Sequence, residues 1–112
     1  MSIAGDLIRG HTDAIILARL LRGDSYGYEI NKTISIMSSG RFELKEATLY
    51  TAFKRLEEAG FIASYWGDSG AGARRRYYTI TAAGRDAYHR LTTEWVETKE
   101  IMDKLLLMEE GI

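Results

Sequence analysis

The chain has 112 residues, 46% hydrophobic and 28% charged, with no cysteine, no proline and a net charge of −1. That length supports one domain with one core; the lack of cysteine excludes a disulfide framework and a thiolate zinc site, and no apolar run is long enough to span a membrane. The start, MSIAGDLIRG, lacks the basic and apolar regions of a signal peptide, so the expectation is a soluble, cytoplasmic protein with no membrane partner.

Charge is unevenly spread. Residues 1–40 carry four basic and four acidic side chains, residues 41–90 nine and six, and residues 91–112 two and six. The middle is basic and the tail acidic, a weaker footprint than a tight monomeric DNA binder needs.

From Leu7 to Leu21 the apolar pattern of Leu7, Ile8, Ile15, Ile16, Leu17, Leu20 and Leu21 predicts one mostly buried helix, stopped by Gly23. Asp24 and Ser25 are N-cap residue types for a second helix, with Tyr26, Ile30, Ile34 and Met37 at helical spacing before Ser38-Ser39-Gly40 ends it. KEATLYTAFKRLEEAG places Leu49, Ala52, Phe53, Leu56 and Ala59 on one face of a third helix, with Gly60 set to take the left-handed conformation at its end. Lys45 and Glu46 give that helix no side-chain cap of the favoured types. FIASYW (61–66) and RRRYYTI (74–80), rich in aromatic and β-branched residues, predict a hairpin around a loop containing Gly67, Gly70 and Gly72. Thr81 is an N-cap for a long last helix in which Tyr88, Leu91, Trp95, Thr98, Met102 and Leu105 follow near-heptad spacing.

The order ααα-ββ-α, without repeat or linker, is that of a winged helix-turn-helix: an α+β fold, mainly α, with the DNA-binding part over 1–80 and a C-terminal dimerisation helix over 81–112 in a single structural unit. The glycine-rich hairpin is the wing. Arg74, Arg75 and Arg76 alternate around its strand, so one or two reach phosphate whichever face packs, although a plain solvated charge run is the competing reading. On the third helix Ala47, Thr51, Lys54 and Glu58 lie opposite the core, flanked by Thr48, Tyr50 and Arg55. Small residues first and cations later suit a recognition helix whose early turns approach base edges while Lys54 and Arg55 reach the backbone. The Tyr50 hydroxyl either donates to a phosphate or belongs to a packed ring.

Catalytic readings find little support. The glycines lack the strand-before, helix-after setting of a nucleotide loop, and Gly67-Asp68-Ser69-Gly70 matches a tetrapeptide of trypsin-like proteases without room for their fold. His11 and His89 stand alone, and the pairs Glu57-Glu58 and Glu109-Glu110 suit solubility. No enzyme activity and no cofactor is expected.

FELKEATLYTAFKRLEEAGFIASYWGD followed by ARRRYYTIT resembles the PadR family of bacterial transcriptional regulators, over nearly the whole chain. Within it, ATLYTAFKRLE and the short single-helix C-terminus are most similar to the LmrR-type multidrug-sensing branch, with Thr51 where many members carry proline. The resemblance implies a homodimer paired through the last helix, helped by the first, that represses transcription at a promoter palindrome in double-stranded DNA until a planar aromatic effector loosens it. It also implies that Trp95, near the dimer twofold, stacks on that effector, with Leu7, Asp13, Tyr88 and Met102 lining the pocket; a plain dimer-core tryptophan is the alternative. Where multidrug-type relatives can present a carboxylate one turn after the tryptophan, this chain has Lys99, which favours neutral or anionic effectors unless Asp13 neutralises it.

The residues themselves support pairing. Leu91, Trp95, Met102 and Leu105, with Ile101 and Met108 beside them, carry more apolar surface than a small body covers alone. A dimer places two recognition helices about 34 Å apart, one turn of DNA, and doubles the modest positive field. The alternative function is a winged-helix protein–protein interaction module without effector binding.

Overall fold

Helical periodicity switches to strand alternation at residue 61, and the chain folds as α1 (Ile3–Arg9), α2 (Thr12–Leu20), β1 (Ser25–Tyr26), α3 (Gly27–Met37), α4 (Glu46–Glu58), β2 (Ile62–Asp68), β3 (Arg74–Ile80) and α5 (Ala82–Leu106). The computed structural model describes residues 3–68 and 74–107, so Ser69, Gly70 and Gly72 of the expected loop, and Met108, Glu109 and Glu110, lie outside the described residues. The class is the expected one: mainly helical, with a small antiparallel sheet and a long last helix.

Leu7 to Leu21 is not one helix. It breaks at Gly10-His11, where the Thr12 hydroxyl donates to the Arg9 carbonyl at 2.7 Å and the His11 N–H to the Ile8 carbonyl at 2.8 Å. Glycine is a weak helix former, and a side-chain hydroxyl that satisfies a backbone carbonyl competes with helix continuation. The apolar stripe runs through both pieces, which hides the break from periodicity, but Leu7 is 71% exposed and not part of the core.

Ser25 is not a helix cap either. Tyr26 occupies the cap position of α3 without a side-chain hydrogen bond, and Ser25 sits fully buried in β1, donating its hydroxyl to Glu29 at 2.6 Å. Glu29 also receives Arg19 at 3.1 Å, so a carboxylate in the first turn of α3 meets both the helix dipole and two donors. A strand of two residues is too short for any period to reveal.

The sheet order is β1-β3-β2, antiparallel throughout. Ile62 pairs with Ile80, Ser64 with Tyr78 and Trp66 with Arg76, so these share the face toward the helices, while Tyr65 and Tyr77, with Tyr26 of β1, share the other. The core gathers Ile16, Leu17 and Leu20 of α2, Ile30 of α3, Leu49, Phe53 and Leu56 of α4, and Ile62 and Tyr78 of the sheet. Between α3 and α4 the chain runs extended, burying Phe42 and Leu44. Asn31 clamps it there, donating to the Leu44 carbonyl at 2.7 Å and accepting its N–H at 2.8 Å.

Gly60 ends α4 at φ 81°, and Thr81 caps α5 by accepting the Gly84 N–H at 3.0 Å, both as expected. Thr81 also donates its hydroxyl to the Gly60 carbonyl at 2.7 Å, tying the end of α4 to the start of α5. α5 has 25 residues, about 37 Å of helix. Only its first turns meet the body: Gly84 and Ala87 are buried, Tyr88 and Leu91 half-buried, and residues 93–107 all exposed. The radius of gyration is therefore 16.3 Å, against about 13 Å for a compact chain of this length.

Gly84 is where α5 closes on the body. A Cβ there would stand 2.0 Å from the Phe61 carbonyl oxygen, which already accepts the Thr81 N–H at 3.0 Å and cannot move freely. Gly84→Ala is expected to lower stability by at least about 2 kcal/mol through overpacking; a urea midpoint equal to wild type would show that the joint yields.

Candidate functional site

On α4, Leu49, Ala52, Phe53 and Leu56 are buried, which turns Ala47, Thr51, Lys54 and Glu58 outward as expected, with Thr48 half-buried. The Tyr50 ring packs, meeting Phe53 edge-on at 5.5 Å, and it remains 47% exposed. A Cβ on Gly27, at the start of α3, would come within 2.8 Å of its hydroxyl oxygen. Arg55, expected at the DNA backbone, is exposed and has a partner of its own. It forms a forked ion pair with Asp13, the Arg55 Nε donating to Oδ2 at 3.3 Å and a terminal nitrogen to Oδ1. Hydrogen bonding to this carboxylate holds the guanidinium above even its usual pKa. Because α4 packs beside α2, residues 42 apart in sequence meet, and a cation assigned to phosphate is joined to an acid assigned to the effector pocket.

Two contacts fix the wing to α4. Tyr78 of β3 stacks on Phe53 with ring centroids 4.0 Å apart and an interplanar angle of 20°. Farther out, Glu57 accepts the Ser64 hydroxyl at 2.7 Å and pairs with Arg76 at 3.6 Å. The arginines alternate as expected: Arg74 and Arg76 flank Trp66 on the α4 side, and Arg75 lies over the Tyr26 ring on the other at 4.6 Å. On that second face Tyr65 stacks on Tyr77, whose ring meets Tyr26 edge-on, an aromatic row across all three strands. Gly67 belongs to β2 and not to the loop; the Tyr77 ring lies across it, where a Cβ would stand 2.8 Å away. Tyr65 donates its hydroxyl to Asp24 at 2.6 Å; this bond, with one from Thr79, holds the Asp24 carboxyl below its usual pKa, and the same Asp24 bond holds Tyr65 above its own.

Behind α4 an open cleft of about 320 Å³ is lined by His11, Asp13, Arg55, Leu91, Glu94 and Trp95, among others. Trp95 is 46% exposed, and His11 meets its ring edge-on at 5.1 Å. Of the residues expected at an effector, Trp95 and Asp13 meet here, and Tyr88 lines the adjoining apolar groove with Ile8, Ile15 and Trp95. Leu7, Lys99 and Met102 lie outside both linings. Lys99 pairs with Asp103 at 3.2 Å, one turn along its own helix, so the counter-charge weighed for Asp13 comes from Asp103 instead. Among the described residues no three histidines or acids converge to hold a metal ion, and no helix is long and apolar enough to cross a membrane.

Residues 16–90 match the model of the transcriptional regulator PadR-like family. The chain belongs to the PadR-like family of transcriptional regulators. It is similar to a transcriptional regulator structure from Clostridium thermocellum, at 48% identity and a TM-score of 0.83 over 90% of this chain and 98% of that one. A PadR family transcription regulator from Clostridium difficile is 38% identical, with a TM-score of 0.75 over 87% of this chain and 99% of that one. An uncharacterised protein of Lysinibacillus sphaericus is 48% identical over 110 residues, 98% of each chain.

Three residues of this PadR-like regulator acquire site roles that their sequence neighbourhoods did not suggest. Glu57, read as a solubilising acid, braces the wing; Trp66 stands among the wing arginines; His11 meets Trp95. For Trp66 a signal existed: pairing Ile62 with Ile80 in the hairpin sets Trp66 opposite Arg76. Glu57 and His11 depend on how helices dock, which no local pattern carries.

The Asp24–Tyr65 bond makes stability depend on pH. The folded state holds the Asp24 proton less tightly than the unfolded chain, so the contribution is present above the ordinary carboxylate value of about 3.9 and is lost as pH falls through the lowered one. Asp24→Asn is expected to cost less than about 1 kcal/mol near pH 6, given its exposure. The gap to wild type should close below pH ~3.9; a gap constant from pH 6 to 2.5 in thermal melts would rule the bond out as the cause.

Proposed function

We propose that this PadR-like regulator is a cytoplasmic, homodimeric repressor that binds a promoter palindrome through α4 and the wing. A planar aromatic molecule at Trp95 releases it, as in the LmrR-type branch. The observation that carries the DNA reading is a common face: Ala47, Thr51 and Lys54 are exposed on α4, and Arg74 and Arg76 lie on the side of the wing that is braced to that helix. Small side chains in the first turns let α4 approach base edges, with Thr48 and Tyr50 at its flanks, while Lys54 and the arginines neutralise phosphates. Arg75, on the other face, adds to the positive field.

Pairing is supported by the outer half of α5, where Trp95, Val96, Ile101, Met102, Leu105 and Leu106 are exposed. That much apolar area on a projecting helix is the mark of an association surface. Leu91 packs on its own core at the base of the stripe, and Met102 and Leu105 carry it outward. The effector reading draws support from Trp95 in a cleft that also holds Asp13 and Arg55. An occupant that takes either charge alters how α4 is held.

Fluorescence anisotropy on the chain's own upstream DNA, against unrelated DNA of equal length across a salt series, tests the first part. Specific binding with a steep salt slope is expected, weakened at least tenfold by Lys54→Glu or Arg74→Glu, and the slope should flatten by about one for each phosphate no longer neutralised. Unchanged affinity in both variants would point to a protein partner instead. Sedimentation should show a dimer that the double substitution Met102→Asp, Leu105→Asp converts to a monomer with at least tenfold weaker DNA binding. A wild-type monomer at micromolar concentration would overturn the dimer. Planar aromatic dyes should quench Trp95 emission and release DNA in wild type but not in Trp95→Ala.

A further inference from the structure

We propose that Trp66 is the positioning residue of the wing: its indole holds the guanidinium groups of Arg74 and Arg76 in place to grip the sugar–phosphate backbone of one DNA strand. The inference rests on the DNA-binding reading above and names what makes its wing contact.

Trp66 is 55% exposed, although it lies on the sheet face that further down, at Ile62, Tyr78 and Ile80, belongs to the core or packs against it. Among the described residues, the partners of its ring are the two arginines. Arg76 is its direct cross-strand partner and Arg74 its diagonal neighbour, and their guanidinium carbons lie 5.7 and 5.3 Å from the ring centre. Both distances fall inside the range where a cation is attracted to an aromatic face. A long arginine side chain otherwise loses much rotamer freedom on binding, so a ring that orders two of them lowers the cost of engaging phosphate.

The backbones of the two arginines are two residues apart on β3, about 6.8 Å along an antiparallel strand. That spacing of the side-chain bases is comparable to the step between neighbouring phosphates, so the two arginines suit adjacent phosphates of one strand. Arg76 is also held by Glu57 at 3.6 Å and by a hydrogen bond to the Tyr78 hydroxyl, which together leave part of its five-donor fork to an anion. Arg75 has no part in this arrangement, since it points to the opposite face over Tyr26.

The test is anisotropy on a fixed 40-base-pair duplex at low salt, with Trp66→Ala, Trp66→Phe and each combined with Arg74→Ala, Arg76→Ala in the full chain. Trp66→Ala should weaken binding about fivefold to twentyfold and flatten the salt slope. Trp66→Phe, which keeps a ring face, should stay within about threefold of wild type. Once both arginines are replaced, removing the indole should cost less than twofold, because it acts through them. Wild-type affinity in Trp66→Ala, a full loss in Trp66→Phe, or additive losses in the combined variant would each overturn the proposal while leaving DNA binding intact. Failure of wild type itself to bind any duplex would instead overturn the DNA-binding reading and this inference with it.

Discussion

The stack of Phe53 on Tyr78 is the joint on which the molecule depends. It makes one continuous core of α4 and the sheet, and because both rings are almost fully buried it fixes the direction in which β3 leaves that core. Close-packed interiors leave such a joint little play. The described strands of the wing therefore continue directly from the core, and the side chains along them are placed by register: what lies opposite Ile62, Ser64 and Trp66 is decided at the base and carried outward. Glu57 adds a polar brace one turn farther along α4, where the hydrophobic contact has ended.

Charge acts on this frame locally. A net charge of −1 is a poor guide when Arg55 is joined to Asp13, Arg76 to Glu57 and Lys99 to Asp103 while Lys54 and Arg74 stand exposed. Partly exposed pairs of this sort contribute little to stability individually. Their importance is directional: each decides where a long, flexible side chain points. The same holds for the outer face of the sheet, where Arg75 is set against Tyr26 and away from its two neighbours in sequence.

Much of this was legible in the sequence. The period of Leu49, Ala52, Phe53 and Leu56, the caps at Gly60 and Thr81 and the aromatic hairpin identify the helix-turn-helix, its wing and the long last helix, because each rests on short-range stereochemistry. Illegible features share a different cause. The break at Gly10-His11 hides inside an uninterrupted apolar stripe, and β1 is two residues long and exists through its partner Tyr78. Arg55 and Asp13 are 42 residues apart, and only the docking of α2 on α4 makes them neighbours. Residue types announced that cations, acids and a tryptophan were present near a site; which of them share a contact is a property of packing.

That last pair has a thermodynamic corollary. Asp13 and Arg55 form one wall of the cleft beside Trp95, yet Arg55 belongs to the helix that carries Thr51 and Lys54. Linkage is symmetric: whatever factor a cleft occupant imposes on the affinity of α4 for its target, the target imposes in equal measure on the occupant. An occupant that releases the target, as proposed above for a planar aromatic molecule, binds the target-bound chain less tightly than the free chain by that same factor.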